Sequence, residues 1–205
     1  MELINNEIIS DKVINKLDKF VINFVNILEK YTPYVIVSGY VSIVLGRSRA
    51  TEDVDLLIPK MDFTKFSFLF RDLLQKGYEC ANTSDSKEAF EMLNSHAIRF
   101  FEKGYPLPNI EFKQINNDIH KYSFENRITI ILKEKTLFLS PLEIQIAYKL
   151  SLMSDCPIEE ISSDKDFEDA KHIYLTFKEK INMEKLIYFI KLLKIESKWE
   201  MLKNE

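Results

Sequence analysis

The chain has 205 residues, 46% of them apolar and 29% charged, with a formal net charge of -4. That length holds one domain or two small ones with ample core, in an ordinary globular composition; the acidity excludes a protein that coats nucleic acid non-specifically but permits a local basic rim for an RNA end. Cys80 and Cys156 stand far apart without metal-ligand spacing, which argues against a disulfide framework and against zinc; no apolar run is long enough to span a membrane and MELINNEIISDK lacks a signal pattern, so a cytoplasmic location is expected.

Taken in order, Ser10 to Tyr31 predicts an amphipathic helix: Ser10 offers a cap, and Val13, Leu17, Phe20, Val21, Phe24, Val25 and Leu28 recur at three- and four-residue intervals. Thr32-Pro33 ends it. The stretch from Tyr34 to Ile58 then reads strand, turn, helix, loop, strand. An apolar run to Val37 meets the small pair Ser38-Gly39, a short helical segment runs to Gly46, a basic loop carries Arg47 and Arg49, and Asp53-Val54-Asp55 opens a second apolar run. Side chains alternate along a strand, so Asp53 and Asp55 share one face while Val54, Leu56 and Ile58 enter a core on the other. Two neighbouring carboxylates repel unless a cation lies between them, and a hard divalent ion such as Mg2+ suits oxygen ligands, above all when phosphates share it. A helix that starts at Ser38-Gly39 presents free N–H groups and a hydroxyl to an anion, with Gly39 permitting close backbone approach.

After Pro59, residues Met61 to Lys76 place Phe63, Phe66, Phe70 and Leu74 at helical spacing, a core-packing stripe closed by Gly77. Tyr78 to Cys80 is a short strand, Asn82 to Lys87 a polar loop, Ala97 to Phe101 a strand, Gly104 to Pro108 a turn and Asn109 to Ile115 a further strand, on which Glu111 and Lys113 face away from Ile110 and Phe112. Arg127 to Leu132 and Thr136 to Leu139 complete the strands. From Ser140-Pro141 the pattern is helical, through Leu142 to Met153, Ser162 to Phe177 and Ile181 to Leu193, with Trp199 near the end. The expected fold is α+β, with a small mixed sheet and packed helices over residues 1–140 and a helical domain over 141–205. His96, His120 and His172 have no paired spacing and read as surface or packing residues, and four glycines are too few for a Gly-rich nucleotide loop.

Ser38-Gly39, the thirteen residues 40–52 and then acid-apolar-acid resemble the signature of the DNA polymerase beta-type nucleotidyltransferase superfamily. The fuller set Ser38-Gly39-Tyr40, Gly46 and Arg49-Ala50-Thr51-Glu52-Asp53-Val54-Asp55 is similar to the minimal prokaryotic branch, including AbiEii-type toxins. One departure is Ser38, where the family usually has Gly. The resemblance implies a third carboxylate on a later strand, for which Glu111 is preferred to Glu79. It also implies a lysine over the triphosphate, matched by Lys149, and a basic-acid pair with a second acid three residues on, matched by Lys165-Asp166 and Asp169. The function so implied is transfer of a nucleoside monophosphate from an NTP to a hydroxyl of an RNA end, a protein or a small molecule. Asp53, Asp55 and Glu111 hold two Mg2+ ions in this reading, and Ser38, Gly39, Arg49, Thr51 and Lys149 bind the substrate. The setting is a toxin-antitoxin or abortive-infection system with an antitoxin partner. The alternative is a catalytically weak nucleotidyltransferase-like module that binds a nucleotide or a partner protein.

Overall fold

The computed structural model describes residues 1–133, 135–154 and 164–204. Among them nine strands form one mixed sheet: β1 (Glu2–Ile4), β2 (Glu7–Ser10), β3 (Val35–Val37), β4 (Asp53–Ile58), β5 (Tyr78–Cys80), β6 (Ile98–Glu102), β7 (Tyr105–Gln114), β8 (Ile128–Leu132) and β9 (Lys135–Leu139). Their spatial order is β1-β2-β8-β9-β3-β4-β7-β6-β5, with parallel pairing only at β2/β8, β3/β9 and β4/β7. The α+β class and the mixed sheet match expectation. The sheet is not small, however, because the N-terminal hairpin β1-β2 pairs with β8 and so extends it.

The first helix, α1 (Lys16–Leu28), starts later than periodicity predicts. Its cap is Asn15, not Ser10: the Asn15 side chain accepts from the Asp18 N–H while the Asp18 carboxylate accepts from the Asn15 N–H, a capping box that closes both free donors. Val13, expected in the core, is 82% exposed. A six-residue helix, α2 (Gly39–Val44), follows β3, and α3 (Phe63–Gln75) is capped by Asp62. Phe66 and Phe70 are buried as the stripe predicts, while Phe63 and Leu74 at its rims are exposed. Two short helices, α4 (Ser86–Leu93) and α5 (Asp118–Glu125), occupy stretches without a long apolar stripe. After β9 the described residues form only helices: α6 (Leu142–Leu152), α7 (Lys165–Phe177), α8 (Met183–Leu192) and α9 (Glu196–Lys203). Cys156 and the expected start of the third-last helix at Ser162 lie outside the described residues. No described helix is long and apolar enough to cross a membrane.

The sheet's two faces have different duties. Val54, Leu56 and Ile58 of β4 and Ile110 and Phe112 of β7 are fully buried under α1 and α3, where Phe24 meets Phe100 and Phe112, and Phe70 meets Phe100, with ring centroids 5.8–6.3 Å apart. The opposite face of β4 lies beneath α5 and α6, and this is the face that carries Asp53 and Asp55. Asp18 fastens α1 to the start of α2: its fully buried carboxylate accepts from the Tyr40 hydroxyl at 2.9 Å and pairs with Lys12. Burial and this carboxylate both push the Tyr40 phenol well above its ordinary pKa, so it stays a neutral donor.

Replacing Asp18 by Ala strands the Lys12 ammonium, the Tyr40 hydroxyl and the Asn15 N–H together, and should cost about 3 kcal/mol or more in urea unfolding. Stability within a few tenths of a kcal/mol of wild type would contradict this assignment.

Candidate active site

β3 delivers the chain to Ser38 with φ 62° and ψ -136°, a backbone region that favours glycine and costs a serine on the order of 1–3 kcal/mol. Ser38 therefore takes up a glycine-like turn despite its side chain. Gln145 of α6 holds the turn from above: the Ser38 N–H donates to Gln145 Oε1 at 3.2 Å, and Gln145 Nε2 donates to the Ser38 carbonyl at 2.7 Å. At Gly39 a Cβ would stand 2.6 Å from Arg49 Nη2, so the guanidinium would have to shift from its place against Asp169 to admit one. The space glycine opens is filled by a guanidinium.

The acids are set by strand register. Asp55 lies opposite Val37 of β3 on one side and Glu111 of β7 on the other, and Asp53 lies opposite Asn109. Asp53, Asp55 and Glu111 thus share one face of two adjacent strands. Glu79, on β5, is three strand spacings from β4 at the edge of the sheet, roughly 14 Å away at standard spacing, and pairs loosely with Lys103. Thr51 Oγ1 donates to the Asp53 carbonyl at 3.0 Å and so orders the entry to β4.

Lys113, two residues beyond Glu111 on the same face, places its Nζ 3.0 Å from Asp55 Oδ1 and 3.3 Å from Glu111 Oε1. Burial alone depresses this ammonium's pKa, but the two carboxylates outweigh it and hold the group above its usual range. Glu111 also receives Arg99 at 3.4 Å. His120 of α5 faces the same region with Nδ1 buried and without a hydrogen-bond partner; burial first, and the Lys113 charge second, hold its pKa below the ordinary histidine value. Sequence places Lys113 on the face of Glu111 without indicating its contact with Asp55. His120 and Gln145 have no sequence signal, since each acts through an element whose docking is set by tertiary packing.

Asp53, Asp55 and Glu111 are hard oxygen donors of the kind Mg2+ takes. Among the described residues, however, no three His, Cys, Asp or Glu side chains converge to hold a metal ion, and the position between Asp55 and Glu111 is taken by the Lys113 ammonium. The donor set fits a divalent cation in kind, provided that Lys113 turns aside. The cavity bounded by Ser38, Asp55, Lys113, His120, Gln145 and Tyr148 is about 50 Å³, space for water and not for a nucleotide.

A second ionic cluster lies behind the turn. Arg49 makes a bidentate pair with Asp169 of α7, Nε to Oδ1 at 2.9 Å and Nη2 to Oδ2 at 2.7 Å, and donates Nη1 to the Ala50 carbonyl. Lys149 of α6 reaches Asp166 at 2.6 Å and Asp169 at 2.9 Å. Asp169 is fully buried and Lys149 is 2% exposed. Sequence assigns Arg49 and Lys149 to the phosphates; the structure pairs Arg49 with Asp169 and Lys149 with both Asp166 and Asp169, while Arg47 stands 3.9 Å from Asp169 and 3.5 Å from Glu168, so that three cations face three carboxylates. Nor are Asp166 and Asp169 capping residues, since the cap of α7 is Asp164.

The fold is that of nucleotidyltransferase-like proteins. A crystal structure of an antigenic nucleotidyltransferase-like protein from Paracoccidioides brasiliensis superposes with a TM-score of 0.55 over 90% of each chain at 15% identity. The solution structure of the antibiotic-resistance factor ANT(2'')-Ia superposes with a TM-score of 0.50 over 91% of this chain and 97% of that one at 14% identity. No protein-family model and no curated protein matches the chain in sequence.

Removing one member of a buried ionic cluster leaves its partners uncompensated. Lys149→Ala is therefore expected to lower unfolding stability by about 3–5 kcal/mol. A variant as stable as wild type but deficient in nucleotide binding would return Lys149 to the phosphates.

Proposed function

We propose that the chain is a nucleotidyltransferase that moves a nucleoside monophosphate from an NTP to an acceptor hydroxyl on the face bearing Asp53, Asp55 and Glu111. The observation that carries this reading is the register of β4 and β7, which sets Asp55 against Glu111 beside the Ser38-Gly39 turn within a nucleotidyltransferase-like fold. Three carboxylates gathered on one sheet face next to a glycine-like turn repel one another, and Lys113 and Arg99 offset only part of that repulsion. A site that binds cations and phosphates needs those carboxylates.

In this reading Asp53, Asp55 and Glu111 would hold Mg2+, two ions being the number expected, and the metal would supply charge for the triphosphate and acidify the acceptor hydroxyl. Ser38 and Gly39 line the phosphates; for that, Gln145 has to release the Ser38 N–H. Arg49 and Lys149 act from behind by fixing the loop that carries Thr51 and leads into Asp53. Entry of a nucleotide requires the 50 Å³ cavity to widen, through movement of α5 or α6 away from the sheet. Conformational change has a parallel in ANT(2'')-Ia, described as having substrate-regulated conformation dynamics.

The finer resemblance, to AbiEii-type toxins with an antitoxin partner, draws support from one feature. Of the residues that carry it, which also include Ser38-Gly39-Tyr40, Gly46, the rest of 49–55 and Lys165, four, Arg49, Lys149, Asp166 and Asp169, come together in one ionic cluster from three separate segments. The acceptor is an RNA end, a protein or a small molecule. A second reading, a catalytically weak binding module, is favoured by the closed cavity and by the internal pairing of Arg49, Lys149 and Lys113.

Incubation with α-labelled NTPs, Mg2+ and separate pools of RNA, protein and aminoglycosides distinguishes the two. The transferase reading expects label on one pool and a fall of roughly 100-fold or more in Asp53→Asn and Asp55→Asn, the scale on which losing a ligand of catalytic metal acts. Label on no pool, with nucleotide binding retained, selects the module.

A further inference from the structure

We infer that Lys113 is an internal counter-ion of the site, holding Asp55 and Glu111 together in the metal-free protein and competing with a divalent cation for the same carboxylate oxygens. This rests on the proposed reading of the carboxylate face as a cation site. It adds that the site's affinity for that cation is set by a residue of the chain itself.

Asp55 and Glu111 are register partners on parallel strands, each with a side chain only 16% exposed. Two carboxylates so placed repel with little water to screen them. Lys113 relieves this with one ammonium shared between Oδ1 of Asp55 and Oε1 of Glu111. The relief is incomplete: Glu111 gains a second, longer contact from Arg99 at 3.4 Å, but that guanidinium is 49% exposed, and Asp55 has only a share of the Lys113 ammonium. Asp53 adds a third, exposed carboxylate with no side-chain hydrogen bond or ion pair among the described residues. A dication that takes the same oxygens offers twice the charge but has to displace the ammonium, so the cost of moving Lys113 is subtracted from its binding.

The displaced side chain has somewhere to go. Lys113 and His120 line both the 50 Å³ cavity and a neighbouring one of about 230 Å³, whose wall includes Asn94, Gln114 and Asn116. Lys113 is 34% exposed along its side chain, so it is not locked by packing, in contrast to the 3% of Lys149. An ammonium that turns into the second cavity keeps polar partners and solvent while vacating the carboxylates.

The test is binding of Mn2+ alone to the purified full chain, without nucleotide, followed by the electron paramagnetic resonance signal of the free ion and by the Mn2+-induced rise in unfolding temperature. Lys113→Met, with Lys113→Gln as a second variant of different packing, should bind Mn2+ about tenfold or more tightly than wild type, the scale of a charge-assisted contact removed from competition. Both variants should also gain more thermal stability from Mn2+. Asp55→Asn should lose binding. If wild type binds Mn2+ through Asp55 and the Lys113 variants bind it no tighter, the counter-ion role is overturned while the cation site stands. If neither wild type nor the variants bind Mn2+, both the role and the metal reading on which it rests fall.

Discussion

Asp169, a carboxylate with no exposed surface, takes a bidentate guanidinium from Arg49 and an ammonium from Lys149. A buried anion is tolerable only when paired, so Asp169 dictates the path of everything it holds. Arg49 reaches it across Gly39, where any larger residue would collide with the guanidinium. The loop from Arg47 to Thr51 is thereby pinned to α7, and Lys149 ties α6 to the same point. Because α6 also carries Gln145, the bridge that spans the Ser38 turn follows from this cluster. A site made of three strand acids and a turn thus receives part of its wall from α6, whose Gln145 lies 107 residues beyond Ser38 in the chain.

Two clusters of opposite logic therefore stand side by side. The one around Asp169 is buried at its centre, with Arg47, Arg49 and Lys149 balancing Asp166, Glu168 and Asp169, and its worth is in positioning. The one around Asp55 is partly buried, has more negative than positive charge once Asp53 is included, and is held by a lysine that solvent reaches. Stability is concentrated where nothing needs to move, and unbalanced charge where a ligand is expected. Ser38 adds local backbone strain at the junction, on a residue whose N–H is occupied only by a neutral side-chain amide.

Period-two and period-3.6 patterns exposed much of the fold in the sequence. The strand pair bearing Asp53, Asp55 and Glu111, the aromatic face of α3 and the helical run after residue 140 all advertise themselves by alternation or by a wide apolar stripe. What was hidden depends on partners distant in sequence. The hairpin β1-β2 has strands of only three and four residues, too short to declare themselves, and gains its place by pairing with β8. Helix α5 carries no long stripe, so His120 looked like an isolated histidine. Arg49 and Lys149 are cations near a presumed anion site, and pattern alone cannot tell a phosphate contact from a buried aspartate partner. In sequence Ser38 is a departure from glycine at a phosphate turn; its positive φ shows the backbone keeping a conformation that favours glycine.

The most direct measurement of the claim that the carboxylate face is the reacting site is a crystal structure with Mn2+ and a non-hydrolysable NTP, read by anomalous scattering at the manganese edge. The account predicts an anomalous peak bounded by Asp53, Asp55 and Glu111, phosphates against Ser38-Gly39, and the Lys113 ammonium turned away from the acids. Manganese and triphosphate bound elsewhere, with Lys113 still bridging Asp55 and Glu111, would contradict it.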